Sequence, residues 1–269
     1  MFLKPVESGV FMKRYIHCGV RPNDNSYYMD YSNNLPEDLI QFVTPQIYQS
    51  DIANNVYWFG YEFNSNVSSK DKTNFINTIK GLSDARLSES EFERFLSIPL
   101  SLLNESINTY HIDAFAYPLS GRSKLVEKMI QVINRMTSRD MTRCSFQLVK
   151  SIPTDIYFDW DLFESDYGSD INVYRETKKY INKVLMPKIH NLDYFSLAKN
   201  VKPKYRPYIR NFIQFKDSDL AKIQKLQHGT NILVVDDINT SGSTLYEIIR
   251  QINELNPNCN IYVYTLIGR

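Results

Sequence analysis

Two adjacent carboxylates, Asp236 and Asp237, close a run of four apolar residues, Ile232, Leu233, Val234 and Val235. After Ile238 and Asn239 comes a small hydroxylic turn, Thr240, Ser241, Gly242, Ser243 and Thr244. The apolar run predicts a short buried strand, and Leu245, Ile248, Ile249, Ile252 and Leu255 predict an amphipathic helix beyond the turn. At such a junction Gly242 lets the backbone come close to an anion. Hydroxyls and amide N–H groups gather at the helix N-terminus, where the helix dipole favours negative charge. The carboxylates suit a different part of a ligand, because they accept hydrogen bonds from a vicinal diol or hold Mg²⁺ through water. The ligand implied is a sugar that carries both free hydroxyls and a phosphate.

The elements that must position this turn are readable as an alternation. Ile112 to Ala116 predicts a strand, and Leu125, Met129, Val132, Ile133 and Met136 predict one face of a helix. Between them lies a loop with Ser120, Gly121, Arg122 and Ser123: Gly121 for the turn, the serine hydroxyls as donors, and Arg122 as a charged donor for a diphosphate. Ser145 to Val149 predicts a second strand, Ser218 to Gln227 a helix stopped by Gly229, and Ile261 to Ile267 a last strand. Such βα alternation predicts an α/β fold with a mainly parallel sheet flanked by helices.

Residues 1–108 read as an accessory N-terminal α+β region. In it Val56 to Phe63 predicts a strand whose aromatics pack in a core, and Lys70 to Lys80 predicts a helix. A second helix starts at Ser88, with Glu91 completing a capping box, and stops at Pro99. Residues 109–269 form the main domain, with a long insertion at about 151–204. Its carboxylates Asp155, Asp159, Asp161, Glu164, Asp166 and Asp170 lack the spacing of a Ca²⁺ loop and read as a solvated acidic loop.

The stretch Ile232 to Leu245 resembles the phosphoribosyl-diphosphate (PRPP) motif of type I phosphoribosyltransferases, with its apolar run, acidic pair and Thr/Ser-Gly-x-Thr turn. Arg206, Arg210 and Asn211, followed by Phe212 to Phe215, resemble a pattern ahead of that motif in the competence-protein F type, although the spacing here is compressed. The resemblance covers Ile112 to Arg269 and implies a type I phosphoribosyltransferase-like fold. Its fifth core strand is then missing or supplied by earlier sequence. Asp236 and Asp237 would take the ribose hydroxyls and the water shell of Mg²⁺, as the catalytic pair. Thr240, Ser241, Gly242, Ser243 and Thr244 would wrap the 5′-phosphate, with Ser120, Gly121 and Arg122 on the diphosphate. The insertion would occupy the place of a mobile flap. Purine-salvage members carry an acidic residue where this chain has Thr240, which argues against hypoxanthine or guanine as acceptor. The activity implied is phosphoribosyl transfer, a glycosyltransferase reaction of nucleotide metabolism. The alternative is a non-catalytic module that binds PRPP or a nucleotide as a signal, or an interaction protein of a multicomponent, competence-like system.

A formal net charge of +1 gives no bulk electrostatic reason to expect nucleic acid as a partner. No apolar run reaches the roughly 18 residues of a membrane span, and the N-terminus lacks a leader-like apolar stretch, which points to the cytoplasm. Cys18, Cys144 and Cys259 have no pairing pattern and read as buried or inert thiols; His17, His111, His190 and His228 are scattered and read as structural or exposed. The acceptor is unassigned, and a homodimer stays open.

Overall fold

The computed structural model describes residues 56–63, 67–121, 123–137, 144–238 and 242–268, together with the strand backbones at 4–5, 14–20, 27–30, 40–42 and 48–49. In chain order the strands are β1 (Lys4–Pro5), β2 (Arg14–Val20), β3 (Tyr27–Asp30), β4 (Ile40–Phe42), β5 (Tyr48–Gln49), β6 (Val56–Phe63), β7 (Ala114–Pro118), β8 (Ser145–Lys150), β9 (Tyr157–Phe158), β10 (Ile209–Arg210), β11 (Ile213–Phe215), β12 (Asn231–Ile238) and β13 (Asn260–Gly268). The helices are α1 (Ser69–Ile79), α2 (Glu89–Thr109), α3 (Leu125–Met136), α4 (Trp160–Tyr167), α5 (Ile171–Tyr180), α6 (Met186–His190), α7 (Leu197–Asn200), α8 (Asp217–Gln224) and α9 (Ser243–Leu255).

Alternation along the central strands explains the layering. On β12, Ile232 and Val234 join one core while Leu233 and Val235 join the other; Ala114 and Ala116 on β7 part from Phe115 and Tyr117 in the same way. Strands that are apolar on both faces belong in the middle of a parallel sheet covered by helices. The order is β8, β7, β12, β13, β6, all parallel. Antiparallel strands flank this block, with β11 beside β8 and β4, β2 and β3 beyond β6. Helices α1, α2 and α3 supply the core on one face. On the other, α9 packs together with Phe163, Ile181, Leu185 and Ile189 of the 151–204 segment. The α/β expectation holds.

Three expectations change. The break at 108/109 is not a break in the sheet, because β6 pairs in parallel with β13 from Val56↔Tyr262 to Glu62↔Gly268. The parallel block thus includes β6 from earlier sequence, and its aromatics Tyr57, Trp58, Phe59 and Tyr61 are all buried. Pro99 does not stop its helix: α2 opens on the Ser88–Glu91 capping box and runs through to Thr109. A proline there leaves the carbonyl of Phe95, four residues earlier, without its helical donor. The Tyr61 hydroxyl donates to that carbonyl at 2.7 Å and fills the gap. Finally, the acidic segment is a packed helical cover. Asp159 caps α4 and pairs with Arg210, Asp170 caps α5, and Asp166 accepts from the Tyr208 hydroxyl at 2.7 Å.

Candidate functional site

The sheet reverses its order between β7 and β12. From β7 the chain steps outward to β8, whereas β12 lies on the opposite side of β7 and leads to β13. The helix after β7, α3, packs on one face and the helix after β12, α9, on the other. A crevice therefore opens at the carboxyl ends of these two strands, which is where open α/β sheets bind ligands. The described residues at its edges are 119–121 and 123–124 after β7 and Gly242 at the start of α9.

The acidic pair lies in the last turn of β12, with Asp236 opposite Thr265 of β13. Both aspartates are buried, at 8% and 9% exposure, and this sets their chemistry apart from a solvated strand end. The Asp237 N–H donates to Asp236 Oδ1 at 2.8 Å. Burial, then repulsion from Asp237, pushes the Asp236 carboxyl up to about 7; Lys80 and the Asp237 N–H pull the other way. Lys80 reaches the pair from the end of α1, with Nζ 2.8 Å from Asp237 Oδ2. Its backbone position is fixed, because Gly81 has φ +67° and the N–H groups of Gly81 and Leu82 donate to Thr78 O and Asn77 O.

Gly242 begins α9 with φ 72° and ψ −4° and has no side chain to cap the first-turn amides. This is the left-handed region, where a side chain is strained. Ser243 behind it is buried and Thr244 half-buried. Thr240 and Ser241 lie outside the described residues, as does Arg122. At the other edge, Ser120 Oγ accepts from the Ser123 N–H at 3.1 Å and Ser123 Oγ accepts from the Leu125 N–H at 3.2 Å, so these hydroxyls shape the entry to α3. Gly121 is not needed for a strained turn: its φ is not left-handed, and a Cβ there would meet nothing within 4 Å.

Arg206, Arg210 and Asn211 brace the scaffold behind the crevice. Arg206 donates to the carbonyls of Val201 and Ala198. Arg210 is buried against Asp159 and lies over the Tyr246 ring at 4.5 Å. Asn211, at φ 57°, donates its N–H to Glu247 Oε1 at 2.8 Å and accepts from Arg250. Fully buried Glu247 is thereby neutralised by Arg250, and α9 is tied to the chain before β11. His190 Nε2 lies 2.9 Å from Ile156 O, a structural contact, while Cys259 is buried and Cys144 exposed, and the side chain of Cys18 lies outside the described residues.

Two features of the crevice carried no sequence signal. Lys80 falls in the region read as accessory. Beside Asp236, Thr265 Oγ1 and the Tyr57 hydroxyl pair at 2.6 Å in the buried floor. Among the described residues no group of three or more His, Cys, Asp or Glu side chains is placed to enclose a metal ion. The donors that suit Mg²⁺ are the Asp236 and Asp237 oxygens, hard ligands whose two potential charges meet one ammonium; alternation turns them toward opposite faces, so they fit a hydrated ion better than direct chelation. Among the described residues no helix is long and apolar enough to cross a membrane. No protein-family model and no curated protein matches the chain.

Proposed function

We propose that this protein binds PRPP, or the 5′-phosphate and ribose of a nucleotide, with Mg²⁺, and transfers the phosphoribosyl group to an acceptor. One observation supports the reading: β7 and β12, the strands that lead into the two predicted phosphate loops, are parallel neighbours at the reversal point of the sheet, and the acidic pair near the carboxyl end of β12 is buried. In such a transfer the bond from ribose C1 to the diphosphate breaks as the acceptor's lone pair attacks C1. The chain must hold the 5′-phosphate still, anchor the ribose hydroxyls and tolerate positive charge on the ring. The amides and hydroxyls from Gly242 to Thr244 serve the first task, the Asp236 and Asp237 carboxylates the other two. Mg²⁺, when bound, neutralises the departing diphosphate.

Calorimetric titration with PRPP and with AMP, each with Mg²⁺, tests the proposal. Asp236→Asn together with Asp237→Asn should abolish Mg²⁺-dependent affinity while inorganic phosphate still binds. Gly242→Val should lose both, because it strains the left-handed turn and blocks the backbone's approach. A wild-type protein that binds neither PRPP nor AMP at millimolar concentration would end the reading.

A further inference from the structure

We infer that Lys80 is the exchangeable counter-ion of the acidic pair: it holds Asp237 while no divalent cation is present and leaves the carboxylate when one is taken up. The inference rests on the phosphoribosyl reading for the site's purpose, although its test does not need that ligand. Among the described residues Lys80 is the one cation in ion-pair contact with either aspartate, at 2.8 Å from Asp237 Oδ2. Lys80 contacts Asp237 alone while Asp236 is buried beside it on the same strand, so an ionised pair keeps an uncompensated negative charge that draws further cations. A divalent ion and Lys80 cannot share Asp237 comfortably. Even screened as by bulk water, a unit positive charge about 6 Å from a divalent ion weakens its binding on the order of tenfold.

Lys80 is built to yield. Its side chain is 23% exposed, against 12% for that of Asp237, so it is the more solvated partner of the contact, and a flexible four-carbon stem gives it room to move. The backbone beneath it cannot follow, because the α1 terminus is locked by left-handed Gly81 and by the Gly81 and Leu82 hydrogen bonds. Exchange is thus a side-chain event, and the released ammonium stays within reach of whatever anion the crevice holds.

The experiment is Mn²⁺ binding to the full chain without nucleotide, read by the loss of the free-ion electron paramagnetic signal. Lys80→Met should bind Mn²⁺ on the order of tenfold more tightly than wild type. Lys80→Arg, which keeps the charge and the reach, should match wild type. In an Asp237→Asn background Lys80→Met should give no such gain. A structural ion pair predicts the opposite sign, since its loss would loosen the site and weaken binding; far-ultraviolet dichroism confirms that each variant is folded. Unchanged or weaker Mn²⁺ affinity in Lys80→Met overturns the inference, as does a gain that survives in the Asp237→Asn background. Either result leaves the phosphoribosyl reading standing if PRPP still binds with Mg²⁺. If PRPP and AMP fail to bind while Lys80→Met tightens Mn²⁺, the counter-ion role stands and that reading falls.

Discussion

Replacing Asp236 by Asn should flatten the pH dependence of folding stability in the absence of divalent cations. Burial, reinforced by Asp237, raises this carboxyl from 3.8 to about 7. A carboxyl whose folded-state pKa lies above its unfolded value binds its proton more tightly in the folded chain. Its contribution therefore favours folding at low pH and is lost as pH rises from about 4 through about 7. The full displacement amounts to about 4 kcal/mol, of which roughly 2–3 kcal/mol falls between about pH 5 and about pH 8. Asn keeps an oxygen to accept from the Asp237 N–H but has no proton to lose. The variant should gain roughly 2–3 kcal/mol on wild type across the same interval. Urea unfolding of both proteins in EDTA, followed by circular dichroism at several pH values, measures it. The difference between the two removes the titrating groups that do not interact with Asp236. Parallel pH profiles would refute the argument, because they would mean that the Asp236 carboxyl is not held in a low-dielectric environment.

Tyr61→Phe should cost about 1–3 kcal/mol by orphaning the Phe95 carbonyl, and most of that cost should vanish when Pro99 is also replaced by Ala, whose N–H can take the carbonyl; a urea double-mutant cycle reads the coupling. Gly121→Ala should leave stability within about 0.5 kcal/mol of wild type, whereas Gly242→Ala should cost about 1–2 kcal/mol for its left-handed φ, both by thermal unfolding. Asp159→Asn should destabilise more than Arg210→Met, because it strands a buried guanidinium, while Asp159 freed of Arg210 is partly solvated; equal losses would contradict this. Amides of α4 should exchange slowly with deuterium even without ligand, since Phe163 anchors that helix in the core; fast exchange would restore the flap reading.

The readable parts of this chain are those whose physics is local. Apolar and aromatic runs and helical apolar spacing placed β6, β8, β12, β13, α3 and α9 close to their observed limits, and the Ser88–Glu91 box marked the start of α2. The acidic pair and the turn at Gly242 were legible because the groups that meet there are sequence neighbours. What failed was long-range. The strand at 56–63 was visible as a strand, yet nothing in it names β13 as its partner. The rule that proline ends a helix failed at Pro99 because a hydroxyl from β6 replaces the missing donor. The acidic segment read as a loop because its carboxylates, five of the six exposed as expected, carry no packing signal, while the aromatics between them pack the helices.

The same division runs through the candidate site. Which groups stand at the carboxyl end of β12 is local information, but their charge state is not. Burial and then repulsion from Asp237 push the Asp236 carboxyl up, and Asp237 is met by a lysine at the end of α1. The motif thus lies in a dozen consecutive residues, whereas the charge that meets its second aspartate comes from the end of α1. A substitution at the end of α1, far from the motif in sequence, should retune the site without touching any residue that the motif contains.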